Sequence, residues 1–420
     1  MTSVHIIGAG LAGLSAALFL QEQGLRPRLY DANSRPGGRC GGWSPAPGAP
    51  RRDRGTHLLL SGNDTVCGLI RRYGRAEDWI RLPPRFRFRD LAEGTDWNLY
   101  PGAGRWPGWL LDPTRRVAGL GLTGHLRALL TLETSRADTV GAALDLRSVA
   151  GRRLIGPLTV ALLNTPAEIA SLPLLRRTLR DSLYRGGQAL SPLLCRTSLE
   201  QDLITPLTEA LSAAGVEIRL RSAVSELQQT PEGLRLSGPA GPVFCGRDPV
   251  ILAIDPAQAH RLLPDLLPDL PQSPILNLHY PMPDRGPEIL AELTGLCGGA
   301  AEWILRRPGH CAVTISAPRA DLLADPDLPG TVWREIRQVY PDLPLRCPAD
   351  ARLLTERRAT LLQTPDTDRL RPQTRPTVSG WPETLWLAGD WVQTGLPCTL
   401  EGAARSGRMA ALAVIRHLRP

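Results

Sequence analysis

The amino-acid sequence predicts an α/β fold with a parallel sheet, joined to a second, α+β domain, and three observations support this. A β-branched run, Val4–Ile7, leads into Gly8-x-Gly10-x-x-Gly13 and an Ala- and Leu-rich helix. A fully apolar run, Val250–Ile254, is typical of a strand buried in a parallel sheet. The chain has 420 residues, 42% of them hydrophobic, which is enough for two cores. The first domain is therefore predicted to be Rossmann-like.

Each residue of the first turn has a role that its chemistry explains. Gly8 permits a sharp turn, Gly10 leaves room for a pyrophosphate to approach the backbone, and Gly13 lets the helix pack closely on the sheet. The free N–H groups at the helix start, at Leu11 and Ala12, together with the positive end of the helix dipole, would receive the phosphates. The turn is therefore predicted to bind a dinucleotide.

An acid follows the second predicted strand, Pro27–Tyr30. Asp31 at this position would accept hydrogen bonds from a ribose, with Ala32 beside it. A second segment, Gly119–Gly124, has the same glycine spacing, but it follows the polar stretch Asp112–Arg116 instead of a hydrophobic strand. We predict a loop or a helix start there, and a nucleotide site only at the N-terminal copy.

The loop after Asp31 carries a glycine pair next to an arginine. In Arg35–Arg39, Gly37 and Gly38 allow backbone to lie against a ligand, and Arg39 offers a positive charge to a phosphate. The order of GxGxxG, acid and RxGGR resembles the amine oxidase and phytoene desaturase superfamily of FAD enzymes. This resemblance implies FAD as the cofactor and Arg39 as a contact of its phosphates.

Matching segments of that superfamily imply where other parts of FAD lie. Asp53–Gly55 corresponds to a D-x-G segment that runs beside the isoalloxazine ring. The resemblance therefore places Gly55, Thr56 and His57 near the reactive face of the flavin. Val224 matches a valine whose backbone meets the adenine.

The C-terminal part of the sequence carries a further motif. A predicted apolar strand leads to Gly389 and Asp390, whose carboxylate can accept hydrogen bonds from the ribityl chain. A helix predicted to start near Pro397 would aim its positive end at the pyrimidine edge and stabilise negative charge on reduced flavin. Cys398 and Thr399 lie close to the ring in this interpretation, and the expected role of Cys398 is that of a small buried residue.

One branch of the superfamily is matched more closely. The stretch Gly55–Asn63 and the predicted strands 298–305 and 312–317 resemble the hydroxysqualene dehydroxylases, FAD enzymes of bacterial hopanoid synthesis. This resemblance implies a long apolar isoprenoid substrate, 12-hydroxysqualene, which loses its hydroxyl group and gains a hydride from reduced FAD to give squalene. The donor that reduces FAD is not identified by any second dinucleotide motif.

This chemistry needs an acid to protonate the departing hydroxyl and a dry tunnel around the allylic cation. His57 is the first candidate for the acid because the motif places it beside the flavin, and Glu302 and Asp53 follow. A hydrogen-bonded structural histidine is the alternative interpretation of His57. Aromatic faces can stabilise such a cation, and the candidates are Trp303, Tyr280 and Trp391.

Three other functional classes share some of these features. The amine oxidases commonly place a lysine near flavin N5, but all 49 basic residues here are arginine. A carotenoid-type (phytoene) desaturase or isomerase remains open, since it shares fold, cofactor and an apolar polyene substrate, and differs in Gly55–Asn63. A flavin-binding protein without catalysis has no positive feature in its favour.

The charge of the chain bears on its partners and location. The net charge is +8, and basic residues alternate with aromatic ones in Arg85–Arg89. No nucleic-acid module accompanies them, so an anionic membrane is the expected partner. The loop with Trp106 and Trp109 and the helix predicted over Leu120–Leu132 form either a membrane-contacting patch or an ordinary cover of the substrate domain. We expect a cytoplasmic protein, peripheral on the inner face of the cell membrane.

The eight cysteines include no CxxC pair, which indicates neither a zinc site nor a disulfide framework. Residues 1–75, 205–260 and 355–420 are assigned to the FAD-binding domain, and 76–204 and 261–354 to the substrate-binding domain. Further predicted elements are a helix over Thr205–Ala214, a strand pair at 216–220 and 223–224, and a strand over Ser273–Tyr280. The predicted strands 298–305 and 312–317 should pair in antiparallel fashion.

Overall fold

The computed structural model describes residues 2–46, 48, 49, 51–102, 104, 105, 107–283 and 290–419. The strands in this part of the chain are β1 Ser3–Ile7, β2 Arg26–Tyr30, β3 Gly42–Trp43, β4 Arg52–Asp53, β5 Leu59–Leu60, β6 Trp79–Arg81, β7 Phe86–Asp90, β8 Thr95–Leu99, β9 Pro192–Cys195, β10 Glu217–Arg219, β11 Glu226–Thr230, β12 Gly233–Ser237, β13 Val243–Gly246, β14 Val250–Leu252, β15 Gln272–Pro281, β16 Glu292–Cys297, β17 Trp303–Arg307, β18 His310–Ser316, β19 Arg352–Leu361 and β20 Leu385–Leu387.

The α-helices in the same part are α1 Leu11–Glu22, α2 Asp64–Tyr73, α3 Leu122–Thr134, α4 Val140–Ala143, α5 Gly156–Leu163, α6 Leu172–Asp181, α7 Thr205–Ala213, α8 Pro256–Leu262, α9 Ala320–Ala324, α10 Leu328–Val339, α11 Pro365–Leu370 and α12 Leu400–Leu418.

A five-stranded parallel sheet, in the order β10-β2-β1-β14-β20, forms the centre of the nucleotide-binding part. The apolar strands β1, β14 and β20 are covered on both faces, as parallel strands generally are. Helices α1, α2, α7 and α12 pack on one face, and helix α8 with the small sheet β11-β12-β13 covers the other. The α/β fold and the parallel sheet predicted from the sequence are confirmed.

A second, separate sheet has seven strands in the order β19-β15-β18-β17-β16-β7-β8. Strands β17 and β18 pair antiparallel with Trp303 opposite Thr314, as predicted. Alternate residues of β15 and β18, such as Leu276 and Val313, pack against α10 through Val332. Their neighbours in sequence therefore project from the opposite face of this sheet.

Two local predictions differ from the structure, and a third is met. Only Glu217–Arg219 of the expected strand pair is a strand, because Arg221 has a left-handed φ of 53° and turns the chain back toward Asp31, whose carbonyl accepts from Ser222 N–H. The closing helix begins at Leu400 instead of near Pro397, since the Thr399 side chain caps it. The glycine-spaced segment Gly119–Gly124 contains the start of α3, as predicted.

The assignment of sequence ranges to two domains stays a proposal. Strand β19 runs across the proposed boundary at residue 355 and pairs with β15 over most of its length. We therefore propose that the last FAD-binding segment is better started after Leu361, at the end of β19. No helix of the described residues is long and apolar enough to span a bilayer, and within the same residues no cluster of His, Cys, Asp and Glu could hold a metal ion.

Candidate FAD and active site

The first turn has two glycines that the fold requires and one that faces open space. A Cβ at Gly8 would lie 2.3 Å from the carbonyl oxygen of Ala253, and a Cβ at Gly13 would lie 2.0 Å from the carbonyl oxygen of Gly8. A Cβ at Gly10 would meet nothing within 4 Å. This space lies at the start of α1, where no side chain caps the helix. The turn thus has the room and the free N–H donors that a pyrophosphate needs.

The glycine pair of the following loop lies against this turn. Gly37 N–H donates to the carbonyl oxygen of Ala9 at 2.8 Å, and a Cβ at Gly38 would lie 3.4 Å from the Cα of Gly10. The N–H groups of Leu11 and Ala12, in the first turn of α1, have no side-chain acceptor at the cap. Gly38 and Gly10 therefore form two sides of one backbone-lined cradle, which fits the diphosphate of FAD.

Asp31 holds this cradle in shape. Its Oδ2 accepts from Ala9 N–H at 2.7 Å, and its Oδ1 accepts from the backbone and side chain of Asn33 at 2.8 and 2.9 Å. The carboxylate is buried, whereas Ala32 beside it is exposed. A contact between Asp31 and a ribose stays a prediction, and the structure adds that the same carboxylate orders the glycine turn.

Val224 lines a small cavity beyond the carboxyl ends of β2 and β10. Tyr30 and Arg219 supply one wall, and Leu236 and Gly238 supply another. The position at the sheet's carboxyl edge is where open α/β sheets bind nucleotides. The adenine contact expected at Val224 stays a prediction.

Arg39 and Asp390 come from distant parts of the sequence and form an ion pair. Arg39 Nη2 lies 2.6 Å from Asp390 Oδ1, and Arg39 Nη1 donates to the carbonyl oxygen of Ala359. The Arg39 side chain is 42% exposed, so it can also reach a ligand, while that of Asp390 is 6% exposed. The two residues assigned to the phosphates and the ribityl chain are therefore direct neighbours.

The loop after Gly389 is fixed by two residues that the sequence did not indicate. The buried guanidinium of Arg371 donates to the carbonyl oxygens of Asp390 and Val392, both at 2.8 Å, and of Leu396 at 2.7 Å. The side-chain oxygen of Gln363 accepts from Cys398 N–H at 2.9 Å. Neither residue belongs to a motif, so no local signal could have identified it.

The start of the closing helix is built from buried groups. Pro397 and Cys398 are buried, and the Thr399 hydroxyl accepts from Gly402 N–H at 3.1 Å. Burial raises the pKa of the Cys398 thiol to about 12, so it stays protonated, and its Sγ donates to the carbonyl oxygen of Asp390. Glu401, another residue missed from the sequence, accepts from the backbone at the start of α2.

Asp53 and Gly55 connect the predicted flavin-side segment to its surroundings. The Asp53 carboxylate accepts from Leu199 N–H at 2.7 Å and from the Cys195 thiol at 3.1 Å. A Cβ at Gly55 would lie 2.7 Å from the side-chain oxygen of Asn277. Gly55 therefore lets the seven-stranded sheet approach this segment directly.

Thr56 and His57 follow with few partners. Thr56 Oγ1 is buried and has no hydrogen-bond partner among the described residues. The His57 ring likewise makes no hydrogen bond within the part of the chain that the structure describes. Burial lowers the pKa of His57, an effect that Asp53 opposes and Arg39 reinforces. The His57 imidazole is therefore neutral near pH 7. The buried Thr56 hydroxyl, which has no partner among the described residues, is typical of a site that binds a ligand.

The pKa of Glu302 is shifted upward, in the opposite direction to the pKa of His57. Its Oε2 accepts from Ser316 N–H at 2.9 Å. Burial raises the pKa of Glu302 to about 7, although the hydrogen bonds from Ser316 oppose this shift. A carboxyl group with this pKa carries a proton in a large fraction of molecules near neutral pH, as a general acid requires.

Of the three aromatic candidates, one lies on the face turned to Gly55. Trp303 is paired with Thr314, which hydrogen-bonds Asn277 on that face. Tyr280 is on the other face, in the core with Trp333, and donates to a backbone carbonyl. Trp391 is buried beneath the parallel sheet. The expectation for Tyr280 and Trp391 is therefore wrong, because both rings are enclosed by core side chains.

Comparison with known proteins matches this arrangement. The profile of the flavin-containing amine oxidoreductases covers residues 11–285 and 292–415. The chain belongs to the flavin-containing amine oxidoreductase family. It is 35% identical to a hydroxysqualene dehydroxylase of Rhodopseudomonas palustris over 97% of both chains. It is also 22% identical to a Synechococcus elongatus protein named "Probable zeta-carotene desaturase", over 98% of both chains. The solved cyclohexylamine oxidase of Brevibacterium oxydans has the same fold, with a TM-score of 0.70, 16% identity and full coverage of both chains.

The family member described here is an FAD-dependent oxidoreductase. The residues available to hold FAD are the open backbone at Gly10 and Gly38, the exposed guanidinium of Arg39 and the start of α12. His57 and Glu302 share no hydrogen bond in the described structure. A series of contacts joins their surroundings. Gly55, two residues before His57, packs against Asn277, and Asn277 accepts a hydrogen bond from Thr314. Two residues after Thr314, Ser316 donates its N–H to Glu302.

Proposed function

We propose that this oxidoreductase converts 12-hydroxysqualene to squalene by reductive dehydroxylation, a reaction of hopanoid and squalene biosynthesis. The observation that carries the proposal is the likeness to a hydroxysqualene dehydroxylase over nearly the whole of both chains. The net reaction joins an allylic alcohol, a proton and a hydride to give the hydrocarbon and water. FAD, when bound and reduced, supplies the hydride, and a separate electron donor must reduce it.

Glu302 is the residue that we assign to protonation of the departing hydroxyl. Its pKa of about 7 leaves a proton to donate near neutral pH. His57 is a poorer donor because its lowered pKa leaves the ring neutral, and Asp53 uses both oxygens to hold Cys195 and Leu199. We therefore rank Glu302 ahead of the first choice from the sequence. His57 then serves to line and orient the pocket.

Trp303 is the aromatic ring that we assign to the allylic cation. It lies on the same sheet face as Asn277, and its ring is held edge-on by Phe88 at a centroid distance of 5.4 Å. An aromatic face can stabilise a nearby cation, more strongly where water is excluded. The ring and the acid are consecutive residues at the start of β17, and the acid accepts a hydrogen bond from β18.

We also propose that the protein contacts an anionic membrane at the cytoplasmic face, from which a long isoprenoid could enter. Leu111, Leu126 and Leu130 are 68%, 48% and 62% exposed. Leu126 and Leu130 are four residues apart on α3, and Arg127 is exposed beside them. Trp109 lies in the adjoining segment, whereas Trp106 lies outside the described residues.

The experiment that tests the function uses purified protein loaded with FAD. After chemical reduction of FAD, hydroxysqualene is added and squalene is measured by mass spectrometry. Glu302→Gln should retain FAD and lose most turnover, whereas the matched variant Glu292→Gln, in the same sheet and paired with Arg87, should behave like the parent. Oxidation of a supplied phytoene by oxidised enzyme, without conversion of hydroxysqualene, would support the alternative carotenoid-type desaturase.

A further inference from the structure

Asn277 is a buried amide on the sheet face that meets the flavin-side segment. It lies on β15, it is 5% exposed, and its carboxamide packs directly against Gly55, where a Cβ would lie 2.7 Å from its oxygen and 2.8 Å from its nitrogen. Leu276 and Leu278 on either side of it point the opposite way, into the core with α10. The alternation of a β-strand thus fixes the direction of the Asn277 side chain.

The orientation of the carboxamide is set by one hydrogen bond. Thr314 Oγ1 donates to Asn277 Oδ1 at 3.1 Å across the β15–β18 pair. This bond occupies the oxygen and turns Nδ2 away from Thr314. Nδ2 has no hydrogen-bond partner among the described residues, so two N–H donors remain available next to Gly55. The Asn277 residue is 5% exposed, and a donor left available on so enclosed a residue indicates a ligand.

The surroundings of this donor indicate what kind of ligand it meets. Trp303 is directly opposite Thr314, and Ser316, which binds Glu302, is two residues further along β18. Glu302 immediately precedes β17, so β18 separates it from Asn277 on β15, a distance of two strand spacings or roughly 10 Å. Thr314 and Ser316 are alternate residues of β18 and project from one face, so a small polar group on that face would lie between the Asn277 amide and the Glu302 carboxyl. The matching group is a single hydroxyl on an otherwise apolar molecule.

We propose that Asn277 Nδ2 donates a hydrogen bond to the hydroxyl oxygen of the alcohol substrate and thereby distinguishes it from the deoxygenated product. This inference rests on the proposed function, in which Glu302 protonates that oxygen. Asn277 is then a specificity-determining residue. It holds the alcohol at the acid, and it favours release of the hydrocarbon because its donors have no partner once the oxygen has left.

The test compares binding of alcohol and hydrocarbon to oxidised, FAD-loaded protein, in which no turnover occurs. Hydroxysqualene and squalene are titrated separately, and binding is followed by the change in flavin absorbance. The parent should bind the alcohol more tightly than squalene. Asn277→Leu, which keeps the shape but removes the donors, should weaken alcohol binding roughly 10-fold and leave squalene binding unchanged.

Two further variants control for misfolding and for a general effect of replacing an asparagine in this sheet. Thr314→Val with Asn277→Leu replaces both hydrogen-bonding partners by apolar groups of similar shape, so it should fold even if the single variant does not. Asn98→Leu, on β8 of the same sheet, should retain the parent preference. An Asn277→Leu protein that still prefers the alcohol, or that loses both ligands equally, would overturn the proposal. Failure of the parent to convert the alcohol would instead overturn the proposed function.

Discussion

A methyl group added at Gly10 should weaken FAD binding without destabilising the fold. A methyl group added at Gly13 should instead lower the stability of the fold. Gly10 has a φ of −72° and a ψ of 177°, which any residue can adopt, and its Cβ position is open. Alanine is a poorer helix N-cap than glycine by roughly 0.5 to 1 kcal/mol, but it restricts the unfolded chain by about the same amount. Gly10→Ala should therefore change the free energy of unfolding by less than about 0.5 kcal/mol.

The cost of Gly13→Ala follows from a backbone contact. The added Cβ would lie 2.0 Å from the carbonyl oxygen of Gly8, well inside the 3.4 Å at which ordinary contact begins. The carbonyl oxygen belongs to the backbone, and the position of the added Cβ is fixed by the backbone, so neither atom can move away easily. Overpacking costs about 3 kcal/mol, and the better helix propensity of alanine returns up to about 1 kcal/mol. Gly13→Ala should therefore lose about 2 kcal/mol of stability.

Two measurements on the FAD-free proteins separate these effects. Urea unfolding gives stability, and quenching of FAD fluorescence gives affinity. Gly10→Ala should unfold like the parent but bind FAD roughly 100-fold more weakly, because its methyl group occupies the approach of the pyrophosphate. Parent-like FAD affinity in Gly10→Ala would refute the placement of the phosphates over this residue. Parent-like stability in Gly13→Ala would refute the close packing of α1 on the turn.

Three further predictions concern the acid, a helix cap and the membrane patch. Turnover should fall as pH rises through about 7, because the Glu302 carboxyl loses its proton over that range, and a pH-rate profile without this limb would contradict its role. Glu401→Ala should lower the free energy of unfolding in urea by about 2 kcal/mol, since two N–H groups at the start of α2 lose their acceptor, and unchanged stability would count against this cap. Replacing Leu126 and Leu130 by serine should reduce co-flotation with phosphatidylglycerol vesicles while turnover in detergent is kept, and undiminished flotation would exclude this face.

The parts of the fold that the sequence predicted are those with a local signal. The glycine turn, the apolar strand β14 and the β17–β18 pair depend on neighbouring residues, and the structure contains all three. Arg371, Asn277 and Glu401 gain their roles only from distant partners. Glu401, for example, binds a helix start 336 positions away, and no periodicity or motif reports such a contact.

The order of the candidate acids could not be read from the sequence for a different reason. A motif places His57 beside the flavin, and Glu302 follows it as a candidate, but the sequence does not reveal how enclosed each side chain is. Burial lowers the pKa of an imidazole and raises that of a carboxyl, since it disfavours the charged form of both. The same environment therefore moves the two residues in opposite directions as proton donors.

The packing of α12 across α1 has a consequence for how the protein is made. The hydroxyl of Ser15 donates to the carbonyl oxygen of Ala404, 389 positions later, and a Cβ at Gly407 would lie 2.1 Å from the carbonyl oxygen of Ala12. The face of α1 that α12 covers is thus exposed while most of the chain is being synthesised. The cofactor domain, although its fingerprint is translated first, can be completed only after the ribosome has delivered α12. Loading with FAD is therefore expected to be post-translational.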